Sequence, residues 1–149
     1  MKINRELLKI IFFIIFVNIK TNAFAITKNK IIASVDNQIV SSYELKNKVN
    51  TILFLANQSI NQANINLIKQ KALRQLIEYK LKKNQVLKFQ VQLNNKVKIN
   101  DHLNNLSSKY QTNIAGIKNI FQTNGLDFEI YLDEIETEFN WQKLIFQKF

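Results

Sequence analysis

The chain of 149 residues contains no cysteine and no proline, and it has only two glycines and one histidine. Without cysteine there can be no disulfide framework, no thiolate nucleophile and no cysteine-based zinc site. One histidine rules out a histidine-rich metal site, and two glycines cannot form a glycine-rich phosphate-binding loop. The scarcity of proline and glycine also disfavours a β-sandwich, because sandwiches need many tight turns.

Acidic residues are also few: 11 stand against 21 basic ones, which gives a formal net charge of +10. All the basic residues except Arg5 and Arg74 are lysines. Phosphate recognition favours the planar, bidentate guanidinium group of arginine. The charge therefore does not predict nucleic-acid binding. A hydrophobic fraction of 46% at this length predicts one globular domain.

The first 25 residues have the order of a secretory signal peptide. A basic start at Lys2, Arg5 and Lys9 is followed by an apolar run at 10–17 and by Ala23-Phe24-Ala25. The run is too short to span a bilayer, and the Ala-x-Ala sequence is typical of a cleavage site. We predict a signal peptide at 1–25, cleaved after Ala25, and a domain at 26–149. The alternative is an uncleaved membrane anchor.

The mature part is predicted to be mainly α-helical, with about five helices after a short N-terminal β-hairpin or extended arm. Residues 30–35 and 39–40 are apolar and flank a turn, and Ser41 with Glu44 forms a capping box. Apolar residues at helical spacing predict the helices. These run over about 42–57, over about 64–89, from a cap at Asn94 or Asn95 to Tyr110, from a cap at Thr112 or Asn113 to Asn124-Gly125, and from Asp127 onwards.

Groups that could carry catalysis are scarce. His102 lies beside Asp101, but nothing in the sequence nominates a nucleophile for it, so we assign it to a solvated helix face. The acidic residues Asp133, Glu134, Glu136 and Glu138 lack the other ligands of a metal motif and also predict a solvated face. The lysines Lys80, Lys82, Lys83 and Lys88 form a basic patch, either a solvated face or a contact for anionic lipid or protein. We predict no catalytic residue, no metal and no cofactor.

Aromatic and aliphatic side chains are abundant for a small helical domain. Most of them must form the core, but a surplus can leave an exposed patch, and such patches mark sites that bind proteins or peptides. Any of these side chains fits the core as well as a contact. The candidates for contact with an apolar partner are Phe54, Leu55, Phe128, Tyr131 and Trp141.

Three segments, in this order, resemble the N-terminal domain of SurA-type periplasmic folding factors. Residues 31–45, IIASVDNQIVSSYEL, are similar to its opening strand, turn and serine-capped helix. Residues 73–103 are similar to its central helix, connector and next helix. Residues 124–145, beginning NGLDFEIYL, are similar to the entry to its last helix.

The resemblance implies a periplasmic holdase that binds unfolded outer-membrane proteins and meets the membrane only through its signal peptide. Relatives usually carry a parvulin-type prolyl isomerase domain, which this sequence lacks, so we predict no isomerase activity. The chain could be a fragment of a larger factor, and an unpaired strand edge could support a homodimer. The alternatives are a non-catalytic fragment of an isomerase and a cationic protein that binds membrane surfaces.

Overall fold

A computed structural model of the protein describes residues 29–91 and 96–148. The predicted signal peptide and the predicted cap at Asn94 or Asn95 lie outside these residues. The described chain forms a two-stranded antiparallel hairpin followed by five helices, which confirms the predicted fold class. The elements are β1 (Ile31–Val35), β2 (Gln38–Ser41), α1 (Ser42–Leu55), α2 (Gln62–Lys88), α3 (Lys96–Lys109), α4 (Ile114–Thr123) and α5 (Phe128–Lys148).

The hairpin turns at Asp36, whose φ of 51° lies in the left-handed region that aspartate tolerates better than most residues. On either side of the turn, Val35 pairs with Gln38 and Ser34 with Ile39. Val35 and Val40 are buried in a core cluster with side chains of α1 and α2. The hairpin is thus held to the helices by its apolar side chains, because two strands alone bury too little surface to be stable.

The first helix begins with the predicted capping box. The Glu44 amide donates to Ser41 Oγ at 3.1 Å, and the Ser41 amide donates to a carboxylate oxygen of Glu44 at 2.8 Å. These bonds satisfy two amides that the helix itself leaves without acceptors. The same carboxylate accepts from Lys80 on α2 at 2.6 Å, so the cap also ties α1 to α2.

We expect Ser41→Ala to lower the free energy of unfolding by about 1 kcal/mol, because the Glu44 amide loses its acceptor. Urea denaturation followed by circular dichroism measures the change. Ser41→Asp is the matched control, since aspartate also accepts from the helix amides and should stay within about 0.5 kcal/mol of the parent. Equal losses in the two variants would show that the cap is not what stabilises this end of α1.

The end of α4 confirms the predicted Asn-Gly stop. Gly125 has a φ of +67°, and its amide donates to the carbonyl of Gln122 at 3.0 Å. The amide of Leu126 reaches the carbonyl of Phe121 at 2.9 Å, and both of these side chains are buried. This pair of bonds with its apolar contact is a Schellman motif. Asp127 then caps α5, accepting from the amides of Glu129 and Ile130 at 3.1 Å.

Most of the buried apolar side chains in the described residues form two clusters. The first lies between the hairpin, α1 and α2, and its innermost members include Leu53, Ala72 and Leu76. The second lies among α3, α4 and the first half of α5, around Ile117 and Phe121. The C-terminal end of α1 contacts the second cluster, so α1 belongs to both. α5 also lies against α2, and the two helices run parallel, because Tyr79 contacts Asp133 while Lys82 contacts Glu138.

Candidate functional site

Four of the five side chains predicted to contact a partner lie together in the second core cluster. Phe128 and Tyr131 are only 6% and 8% exposed. Their rings surround Phe121, with centroids 5.4 and 5.1 Å from its own. Phe54 and Leu55 pack on the same cluster from the end of α1. In this arrangement the four residues join α1 and α5 to α4. Phe128 and Tyr131 offer little surface to a partner, whereas Phe54 and Leu55 are partly exposed.

Phe54 is held by two rings. It stacks on Tyr110 at a centroid distance of 5.2 Å and meets the edge of Phe121 at 5.6 Å. Trp141, the fifth predicted residue, lies ten residues beyond Tyr131 on α5, about 15 Å along the helix. It is partly exposed. Contact between these five residues and a client stays a prediction.

His102 is not on a solvated face, contrary to the sequence-based expectation. Its Nε2 lies 2.8 Å from the Tyr131 hydroxyl, and the edge of its ring meets Phe139. Burial lowers the pKa of His102 below its ordinary value, and burial also raises the pKa of Tyr131 to about 12. The contact fastens α3 to α5. No carboxylate is among the hydrogen-bond partners found for His102 in the described residues, and nothing there gives it the setting of a catalytic base.

The acidic run was predicted to be solvated, and the basic patch to be either solvated or a contact for an anionic partner, whereas the structure places most of these charges in ion pairs within the domain. Asp133, Glu134 and Glu138 of α5 form ion pairs with Lys83, Lys48 and Lys82 respectively. The Lys82–Glu138 distance is 2.7 Å. Lys80 also pairs with Glu44. Three of the four patch lysines, Lys80, Lys82 and Lys83, are therefore neutralised. This pairing removes most of the basis for a cationic membrane-binding face on α2.

The tyrosine between these charges takes part in the same network. Tyr79 donates its hydroxyl proton to Asp133, and Lys83 donates to the Tyr79 oxygen at 3.0 Å. Burial, together with this bond to Asp133, raises the pKa of Tyr79 well above its ordinary value. The hydroxyl therefore remains protonated at any physiological pH. The interface between α2 and α5 is thus held by specific polar contacts, whereas apolar packing dominates the two clusters.

Large apolar side chains are exposed at several places in the described residues, including Leu67 and Val97, and two of these places carry more than one such side chain. The first is the distal tip, where α2 and α5 end side by side. Leu87 of α2 is 62% exposed and Phe146 of α5 is 89% exposed. Phe89, just beyond α2, carries the ammonium group of Lys148 at 3.3 Å from its ring centroid, a cation–π contact.

The second place is a groove between β1, α1 and the start of α2, with a volume of about 350 Å³. Leu45, Val49 and Ile65 form its floor. Its walls carry Ile32 and Ile60, which are 42% and 47% exposed. Polar residues surround the opening; they are Ser42, Lys46, Asn50, Gln62, Asn66 and Lys69. We call this the hairpin groove.

Sequence patterns did not identify the hairpin groove. Ile32 lies within the apolar segment that predicts the arm, whereas Ile60 stands alone in a polar connection. An isolated isoleucine in such a loop is a weak sign of an exposed apolar site. The groove forms only because α2 turns back beside α1 and brings Ile60 and Ile32 to the same cavity.

The hairpin, its capped first helix and the long second helix follow one another as in the family that the sequence resembles. The model of the SurA N-terminal domain matches residues 28–145. The chain belongs to the SurA N-terminal domain family. The match begins just before the hairpin and ends near the C-terminus of α5, so it covers every element of the fold.

The SurA N-terminal domain was found in the chain and a parvulin domain was not. Comparisons with curated proteins and with solved structures gave no significant match. Within residues 29–91 and 96–148, no helix is both long and apolar enough to cross a membrane. The same residues contain no group of three or more acidic or histidine side chains placed to hold a metal ion.

Proposed function

We propose that this SurA-type domain is a periplasmic holdase, which binds unfolded outer-membrane proteins and keeps them from aggregating. The observation that carries the proposal is the family match over residues 28–145, since this family implies a chaperone with unfolded polypeptide clients. The N-terminal segment with Ala23 and Ala25 supports export. Exposed apolar side chains in the hairpin groove and at the distal tip supply surface for a client.

Binding of this kind needs no catalytic group. Each Å² of apolar surface removed from water contributes about 25 cal/mol, and ordering the client offsets much of that gain. The expected outcome is weak and broad binding, which suits a protein that must release its clients. Ile32, Ile60, Leu87 and Phe146 have the exposure for such contacts, and Trp141 adds a partly exposed ring.

The test uses the protein secreted by a Gram-negative host from the full sequence. Mass spectrometry of the periplasmic fraction should give a chain that begins at Ile26. An unfolded outer-membrane barrel protein is then diluted out of urea, and its light scattering is followed with and without the secreted chain. We expect a several-fold excess of the chain to suppress scattering by more than half. No suppression at that excess would refute holdase activity.

We also propose that the chain is not a prolyl isomerase. The proposal is supported by the parvulin domain not being found and by the place of His102 in a packing contact. Refolding of a protein limited by proline isomerisation should proceed at the uncatalysed rate in its presence. A clear acceleration that grows with the concentration of the chain would overturn this part of the proposal.

A further inference from the structure

The hairpin groove has charges of only one sign on its rim. Its rim carries Lys46 on α1 and Lys69 on α2, and no acidic residue lines it. In the described residues neither lysine forms a hydrogen bond or an ion pair, whereas Lys48, Lys80, Lys82, Lys83 and Lys118 are all paired with carboxylates. Two cations without partners thus stand over an apolar floor.

We propose that the hairpin groove binds an extended polypeptide segment in which apolar side chains alternate with acidic ones. The apolar side chains would cover Ile32, Ile60 and the floor, and the carboxylates would reach Lys46 and Lys69. The proposal rests on the holdase function and names the class of client segment that this part of the surface prefers.

Charge and strand geometry select this occupant. A second copy of the chain would bring its own excess of lysines against the same rim, so charge disfavours self-association there. An extended polypeptide can also form hydrogen bonds with the backbone of β1, which is part of the groove wall. Within the part of the chain that the structure describes, β1 pairs only with β2, so its outer edge is open to strand addition.

The groove also has a suitable size. Its volume of about 350 Å³ is at the lower end of the range for ligand pockets, and most of its lining surface is apolar. Its floor is rigid, because Leu45 and Val49 are buried in the first core cluster. A rigid apolar floor can bind about two or three apolar side chains whatever the sequence of the segment. The two cations on the rim, in contrast, distinguish acidic segments from basic ones.

The experiment measures binding of two fluorescein-labelled ten-residue peptides to the secreted chain by anisotropy. Both alternate isoleucine or phenylalanine with a charged residue, which is aspartate in one peptide and lysine in the other. We expect the acidic peptide to bind about tenfold more tightly in 0.1 M salt, as two exposed ion pairs allow. In 0.5 M salt the preference should disappear while binding through apolar contacts persists.

Two double variants locate the effect. Lys46→Glu/Lys69→Glu should remove the preference for the acidic peptide or reverse it. The matched control is Lys71→Glu/Lys98→Glu, which changes the net charge equally at exposed lysines outside the groove and should keep the preference. Lys46→Gln/Lys69→Gln removes the two positive charges without adding negative ones, so it should lose part of the preference for the acidic peptide. It replaces the Lys46→Glu/Lys69→Glu variant if that charge reversal disturbs folding.

Equal losses in the groove variant and its control would overturn the proposal, since only general charge would then matter. It would also fail if vesicles containing phosphatidylglycerol bound the chain through Lys46 and Lys69 while the acidic peptide did not. A dimer that both lysine variants disrupt would show that a second copy is the occupant and would exclude the peptide. If barrel aggregation is suppressed but neither peptide is preferred, this inference fails and the holdase function stands.

Discussion

Replacing Phe121 by alanine is expected to lower the free energy of unfolding by about 3–5 kcal/mol. Phe121 is fully buried, and it is the ring around which Phe54, Phe128 and Tyr131 pack. Three elements meet at that point, namely the end of α1, α4 and the start of α5. Because no single element can move into the space, the cavity left by the ring should collapse only in part, and the cost should be large.

Urea denaturation of the secreted variant, followed by circular dichroism, measures this loss. The matched control is Phe146→Ala, which removes the same side chain from a position that is 89% exposed and should change stability by less than about 0.5 kcal/mol. If Phe121→Ala fails to fold, Phe121→Leu keeps the test open with an expected loss of about 1–2 kcal/mol. A loss under 1 kcal/mol in Phe121→Ala would show that the second cluster does not depend on this ring.

Replacing Lys48 by methionine should cost about 3 kcal/mol at pH 7, the second largest effect that we expect. Lys48 of α1 and Glu134 of α5 form an ion pair, and their side chains are only 17% and 13% exposed. Methionine preserves most of the length of the lysine but leaves the Glu134 carboxylate without its cation. An unpaired carboxylate at this depth is poorly solvated, and this lowers the free energy of unfolding.

The pH dependence of this loss has a definite sign. Burial raises the pKa of Glu134 above its ordinary value, although Lys48 opposes the shift. An acid with a raised pKa in the folded state favours folding fully below its unfolded pKa, and that contribution is lost as the pH rises through the folded pKa. Without Lys48 the pKa should rise further. The difference in the free energy of unfolding between Lys48→Met and the parent should therefore become smaller as the pH falls from 7 to about 4.

Two comparisons isolate the Lys48–Glu134 pair. Glu134→Gln in the Lys48→Met background should recover most of the loss at pH 7, because no charge remains to be solvated. Lys118→Met removes an ion pair with Glu129 whose side chains are 47% and 66% exposed, and it should cost less than about 0.5 kcal/mol. A pH-independent loss in Lys48→Met would mean that packing of the lysine stem matters more than its charge.

Glu44 differs from Glu134 in the direction of its pKa shift. Burial alone would raise its pKa, but hydrogen bonds from Lys80 and from Ser41 bring it below its ordinary value. Its contribution to stability is present above its unfolded pKa and is lost as the pH falls through the folded pKa, opposite to Glu134. Because Glu44 is present in every Lys48 variant, its effect cancels in their differences from the parent.

The sequence by itself determined the features that depend on neighbouring residues. The capping box of Ser41 and Glu44, the stop at Gly125 and the start of the last helix at Asp127 were all predicted, because each is made by groups at most five residues apart. The spacing of apolar residues gave the hairpin and the helices with ends mostly within about two residues. The residues of three segments, 31–45, 73–103 and 124–145, resembled the SurA N-terminal domain, and the family match over residues 28–145 confirms that resemblance.

Only the tertiary structure decided which faces meet. Tyr79 and Asp133 are 54 residues apart in sequence, and Lys48 and Glu134 are 86 apart, so no local pattern could distinguish these charges from solvated ones. Helical spacing predicted the last helix, with Phe128 on its apolar stripe, but not that α1 and α4 cover this residue. The hairpin groove likewise needs three separate segments. Local hydrogen bonds and torsions specify each element, whereas burial depends on which distant elements pack against it.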